Sequence, residues 1–147
     1  MNDDFRDILN ELLVAGARFL VVGAHAMALH GVPRATGDLD VWIGSEPANA
    51  DKVWTALQRF GAPLDTLGID RQDLATPGIV VQIGLPPRRI DLLTAVSGLD
   101  FEEAWRNRAS HSIGPLEVPF LGRAELIRNK HASGRPKDLA DLEILEG

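Results

Sequence analysis

Three aspartates lie in segments that are otherwise apolar. Asp38 and Asp40 belong to D-L-D-V-W-I, residues 38–43, and Asp91 belongs to R-I-D-L-L, residues 89–93. In a strand successive side chains alternate faces, so Leu39, Val41 and Ile43 point one way while Asp38 and Asp40 share the other, with Cα atoms about 6 to 7 Å apart. Asp91 likewise faces opposite to Ile90 and Leu92. A carboxylate buried without a partner is costly, so something must hold all three. Aspartate oxygens suit Mg²⁺ or Mn²⁺, and two such ions ~3.5 to 4 Å apart stabilise the attacking and leaving oxygens of a phosphoryl displacement. Taken singly, each residue has a plainer account: Asp38 opens its strand in solvent, and Asp91 caps a turn or pairs with Arg88 or Arg89.

An anion site stands beside them in sequence. The apolar run Phe19 to Val22 meets Gly23 and then the small-residue segment Ala24 to Leu29, which reads as strand, tight turn and short helix. Such a turn presents free backbone N–H groups at a helix start, and Gly23 lets a phosphate approach the backbone. Arg34 and Thr36, in the loop before Asp38, are within reach of a phosphate; a solvated loop is an equal alternative. An anion cradle and cation ligands together are wasted in a purely structural protein, and that combination favours chemistry.

The remaining elements must position these groups. Phe5, Ile8, Leu9, Leu12 and Leu13 fall at helical spacing from Asp4 to Ala15, with Asp3 or Asp4 as cap and Gly16 as stop. Ser45 is the expected N-cap of a helix carrying Val53, Trp54, Leu57 and Phe60, with Glu46 and Pro47 in its first turn. Residues 64–76 read as loop with one helical turn. Ile79 to Ile83 and Arg89 to Leu93 are strands about the turn Gly84-Leu85-Pro86-Pro87. Phe101 to Ala109 reads as a helix, Ile113 to Phe120 as a short hairpin broken at Gly114-Pro115, and Arg123 to Ser133 as a helix stopped by Gly134. Pro136 starts a last helix with Leu139, Leu142 and Leu145 turned inward. The three tryptophans read as packing residues, with base stacking on Trp42 as a minor alternative.

The 147 residues, 45% of them apolar, suit a single domain over 1–147. A net charge of −6 excludes a surface that is basic overall, so any nucleic-acid contact needs a local patch. The absence of cysteine excludes disulfides, a thiolate zinc site and a cysteine nucleophile. The acidic start M-N-D-D-F-R-D is unlike a secretory signal, and no apolar run approaches the ~18 residues of a membrane span. The expectation is a cytoplasmic protein without membrane contact. His25 and His30 are five apart and joined by no Cys or Glu, the wrong spacing for a helical metal site, and are read as non-ligands.

V-V-G-A-H, then D-L-D-V, then R-I-D-L-L, in that order, resembles the signature of the nucleotidyltransferase superfamily with the DNA polymerase beta-like catalytic core. The C-terminal L-I-R-N-K-H-A-S-G-R-P-K-D-L-A-D-L resembles small bacterial members, including relatives of abortive-infection type nucleotidyltransferase toxins. The resemblance spans Phe19 to Leu142 and implies an α/β fold: a small, mixed, twisted sheet flanked by helices, a minimal nucleotidyltransferase fold with C-terminal helices. It implies that Asp38, Asp40 and Asp91 are the catalytic and metal-binding residues, with Mg²⁺ or Mn²⁺ as cofactor. It also implies that Gly23 and Ala24 cradle the nucleotide phosphates, and that Lys130 and Lys137 help hold nucleotide or acceptor. A lysine-rich helix end is otherwise favourable dipole electrostatics. Ala24 departs from the Gly or Ser usual in the family, which removes a hydroxyl and leaves the backbone N–H.

The expected function is transfer of a nucleoside monophosphate from a nucleoside triphosphate to a hydroxyl-bearing acceptor, be it protein, RNA or a small molecule. A chain of this size has little room for an acceptor-binding domain, so a partner protein or a homodimer is expected to supply it. The alternative is a catalytically idle nucleotidyltransferase-like binding module, such as one half of a toxin–antitoxin pair.

Overall fold

The computed structural model describes residues 1–32, 34–35 and 37–147. In chain order the elements are α1 (Asp3–Val14), β1 (Phe19–Val22), α2 (Gly23–Leu29), β2 (Leu39–Ile43), α3 (Pro47–Phe60), the single turns α4 (Leu64–Leu67) and α5 (Arg71–Leu74), β3 (Val80–Ile83) and β4 (Ile90–Leu93). There follow α6 (Phe101–Arg106), β5 (Ala109–Ile113), β6 (Leu116–Phe120), α7 (Arg123–Ser133) and α8 (Pro136–Glu146). The fold is α/β: a mixed sheet of six strands in the order β3-β4-β2-β1-β6-β5, flanked by helices that include the C-terminal pair.

Apolar alternation fixes the register. Val21 pairs with Val41, Val41 with Leu92 and Leu92 with Val81, so one face is a continuous apolar row across four strands. All four of these are buried. The periodic residues of α1, namely Phe5, Ile8, Leu9 and Leu12, join Val53, Ala56 and Leu57 of α3 in the same core. Buried Asn49 ties the sheet to α3: its Oδ1 accepts the Arg18 N–H at 2.7 Å and its Nδ2 donates to the Gly44 carbonyl at 2.7 Å. These bonds pin the start of β1 to the end of β2, the two strands that flank the turn at Gly23.

Several local expectations are corrected. Asn2, not Asp3 or Asp4, caps α1, its side chain accepting from the Phe5 N–H at 2.9 Å. Glu46 rather than Ser45 holds the N-cap position of α3, with no side-chain cap bond, because Pro47 already opens the helix and lacks an N–H to satisfy. Residues 64–76 contain two helical turns, the second closed by a reciprocal Asp70–Asp73 capping box. The helix from Phe101 stops at Arg106, and Ala109 already belongs to a strand, since β5 pairs along its whole length with β6. Leu139 is 54% exposed, whereas Leu142 and Leu145 are buried, so α8 turns a narrower apolar stripe inward than its leucines suggest. No helix among the described residues is long and apolar enough to cross a membrane.

Candidate active site

The parallel pairing of β2 and β4 sets Asp40 directly opposite Asp91, and the antiparallel pairing of β1 and β2 sets Val22 opposite Asp40 on the other side. Gly23 follows Val22, so the chain turns away beside the Asp40 carboxylate. A Cβ at position 23 would lie 2.2 Å from Asp40 Oδ2, and Gly23 has φ +66°, so both space and backbone demand glycine there. The sequence motif and the fold thus meet at one point: the turn after β1 exists in this form because a carboxylate occupies its concavity.

Asp38, just ahead of β2, completes the group, and its charge acts on Asp40. Burial, the Asp91 charge, a hydrogen bond shared with Asp91 and the Asp38 charge push the Asp40 carboxyl up to about 6, with Arg89 opposing. Such an upward shift under desolvation and like charge marks carboxylates held together against their own repulsion. Asp38 and Asp91 are partly covered, their side chains 24% and 13% exposed. At Trp42, on the same strand face as Asp40, Phe101 of α6 closes edge-on at 5.1 Å and covers that end of the face.

Arg89 is the residue that sequence reasoning underused. Its Nη2 lies 2.9 Å from Asp38 Oδ2, and its Nε lies 3.1 Å from Asp91 Oδ1. The second approach is close but misaligned, because both Nε and Oδ1 remain buried without a hydrogen-bond partner; the bond that forms is Nη2 to Asp91 Oδ2, at 3.4 Å. The signal was present: residues 89 and 91 share a strand face by alternation. Arg88 turns elsewhere and pairs with Asp4 at 3.2 Å.

The expected phosphate-binding cations are placed differently from one another. Lys130 is 7% exposed and its Nζ lies 3.3 Å from Asp138 and 3.4 Å from Asp141, so α8 carboxylates take up its charge inside the α7–α8 pair. Arg34 reaches from the loop before Asp38 to the same Asp141. Arg135 adds a 2.8 Å contact to Asp138, and these pairings hold the Asp138 carboxyl down at about 2, the Arg135 hydrogen bond contributing most. Asp138 has no exposed surface, yet it is covered rather than deep, since Arg135 is itself 57% exposed. Lys137 is exposed. Ala24 follows Gly23 in the first turn of α2, and Thr36 lies outside the described residues. His30 is structural, its Nε2 donating to the Leu121 carbonyl at 2.7 Å. His25 packs edge-on against Phe5, and burial lowers its pKa.

The donor set fits a hard divalent cation: oxygen-only carboxylates, one of them carrying an orphaned buried oxygen, Asp91 Oδ1. Among the described residues no group of three or more acidic or histidine side chains is already arranged around a common metal position, and Arg89 stands between Asp38 and Asp91. Compared with family models and with curated proteins, the chain matches none.

Proposed function

We propose that the protein is a nucleotidyltransferase acting with Mg²⁺ or Mn²⁺. The observation that carries this reading is the opposed pair Asp40 and Asp91, set against a glycine turn that only Asp40 fills and held at an electrostatic cost that raises the Asp40 carboxyl to about 6. Asp38, Asp40 and Asp91 would hold the cation, which when bound supplies charge neutralisation for the triphosphate and a more acidic acceptor hydroxyl. The acceptor oxygen forms its bond to the α-phosphorus as the bond from that phosphorus to the bridging oxygen breaks, and pyrophosphate leaves with the electron pair. Asp91 Oδ1, which has no hydrogen-bond partner, is the acceptor for the hydroxyl proton. Gly23 and Ala24 contribute backbone rather than side chain, so positioning and charge carry the catalysis.

The second reading, an idle nucleotidyltransferase-like module that binds a partner as in a toxin–antitoxin pair, is favoured by two observations. Arg89 already pairs with Asp38 and Asp91, and Lys130 is taken up by Asp138 and Asp141. Incubating the protein with each labelled nucleoside triphosphate and Mg²⁺ or Mn²⁺ in cell lysate separates the two. Label transferred to an acceptor and lost in Asp40→Ala supports the enzyme; no transfer with any triphosphate supports the module.

A further inference from the structure

Among the described residues, Arg89 is the only side-chain cation paired with any of the three aspartates; it pairs with Asp38 and Asp91, and the fit is uneven. An arginine that grips carboxylates well uses its planar fork on one of them with two parallel bonds. Here the guanidinium straddles carboxylates before β2 and on β4, lying 2.9 Å from Asp38 as an ion pair and making its one hydrogen bond to Asp91 at 3.4 Å. It leaves its own Nε–H and Asp91 Oδ1 unsatisfied although they are 3.1 Å apart. One positive charge thus faces three carboxylates, and its own hydrogen bonding is incomplete, which leaves the group open to a cation of higher charge. The Arg89 side chain is 31% exposed on a flexible stem, and its backbone carbonyl stays fixed by the Leu39 N–H at 3.0 Å. Its head can therefore leave without disturbing the strands.

We propose that Arg89 is the resident counter-cation of the aspartate group, exchanging with the metal rather than merely bracing the strands. A divalent ion held by Asp38 and Asp91 would compete with the guanidinium for these carboxylates. When Mg²⁺ or Mn²⁺ enters, Arg89 surrenders both, and its guanidinium then binds the triphosphate that accompanies the ion. The exchange keeps the carboxylates partly compensated in the metal-free chain and delivers a positive charge at the moment an anion arrives. It rests on the nucleotidyltransferase reading of these carboxylates, and it makes Arg89 a triphosphate-binding residue of that site.

The test is calorimetric titration of Mn²⁺ alone, then of inorganic tripolyphosphate at saturating Mn²⁺, into wild type, Arg89→Gln, Arg89→Lys and Asp40→Asn, with the melting temperature of each metal-free protein. Arg89→Gln is expected to bind Mn²⁺ about tenfold more tightly while melting lower without metal, and then to bind tripolyphosphate about tenfold more weakly. Arg89→Lys keeps the charge without the fork, so its Mn²⁺ affinity falls between the two and much of the tripolyphosphate affinity returns. A purely structural arginine moves stability and metal affinity in the same direction, so Mn²⁺ affinity unchanged or weaker in Arg89→Gln overturns the exchange. If Arg89→Gln does not fold, the same signs are read from Arg89→Lys. Mn²⁺ binding that Asp40→Asn abolishes and Arg89→Gln leaves unchanged defeats the Arg89 proposal alone. Absence of Mn²⁺ binding in wild type and every variant defeats the nucleotidyltransferase reading with it.

Discussion

Asp40 and Asp91 stand opposite each other in the parallel register of β2 and β4, and the Asp91 carboxylate, after burial, is the main influence holding the proton on Asp40. Because the Asp40 carboxyl is raised from 3.8 to about 6, the folded state holds that proton more tightly than the unfolded chain does. Its contribution to stability is complete below about pH 4 and is lost as pH rises through about 6. Asp40→Asn keeps the shape without the charge. In chelator near neutral pH it is expected to melt above wild type by the equivalent of about 1 kcal/mol, a figure discounted for the partial exposure of the site. Saturating Mn²⁺ with tripolyphosphate should narrow or reverse the gap, since ligand bound only to the folded state stabilises it by mass action. Melting curves across pH, with and without ligand, check both parts.

Asp138 has the opposite sign. Its carboxyl is held at about 2 by Arg135 and Lys130, so its contribution is present above the unfolded value of about 4 and is lost as pH falls through about 2. With Asp40, whose contribution is lost between about pH 4 and 6, this gives a stability maximum near pH 4. Asp138→Asn should flatten the acid limb and leave the limb near pH 6 in place; Asp40→Asn should do the reverse. Equal flattening of both limbs by either variant would refute the assignment.

Lys130 and Lys137 make a contrasting pair. Lys130→Ala removes the cation shared by two buried carboxylates, which keep Arg135 and Arg34 as partners, and a loss of about 1 to 3 kcal/mol is expected in denaturant unfolding. Lys137→Ala, at an exposed position, should stay within about 0.5 kcal/mol. If Lys137 serves the site, its removal weakens tripolyphosphate binding with that stability intact.

Gly23→Ala meets both the positive φ and the Asp40 carboxylate. The backbone part alone is about 1 to 2 kcal/mol, and the clash adds to it. In an Asp40→Ala background the clashing Oδ2 and Cγ are gone, so the cost of Gly23→Ala should shrink toward the backbone part. A double-mutant cycle in urea measures that coupling, and strict additivity would show that Asp40 does not fill the turn.

The sequence was most legible where local pattern and packing agree. Phe19–Val22, Gly23, and the alternation of Leu39, Val41 and Ile43 against Asp38 and Asp40 predict the elements and faces that form, because apolar period and turn chemistry are properties of neighbouring residues. What stayed hidden depends on partners far along the chain. Nothing near Lys130 announces that residues 138 and 141 return across the turn at Gly134 to enclose it, or that Asp141 reaches Arg34, 107 positions away. The convergence of Asp91 with Asp40 likewise needed the strand order, which places β4 beside β2. Arg89 was visible as a neighbour of Asp91, but only the register shows it also touching Asp38.

The misread stretch at Ala109 has a consequence of its own. β5 is an outer strand of the sheet, and its middle residues Ser110, His111 and Ser112 are exposed, too polar for the apolar alternation that marks a strand in sequence. Both hydroxyls are spent on Glu117 of β6. That polarity is a guard: a free edge offers unpaired backbone groups to any passing strand, and charge with short polar side chains makes intermolecular pairing unrewarding. Replacing Ser110 and Ser112 with valine would leave the buried core untouched, yet give this border the apolar alternation that rewards pairing with a second chain.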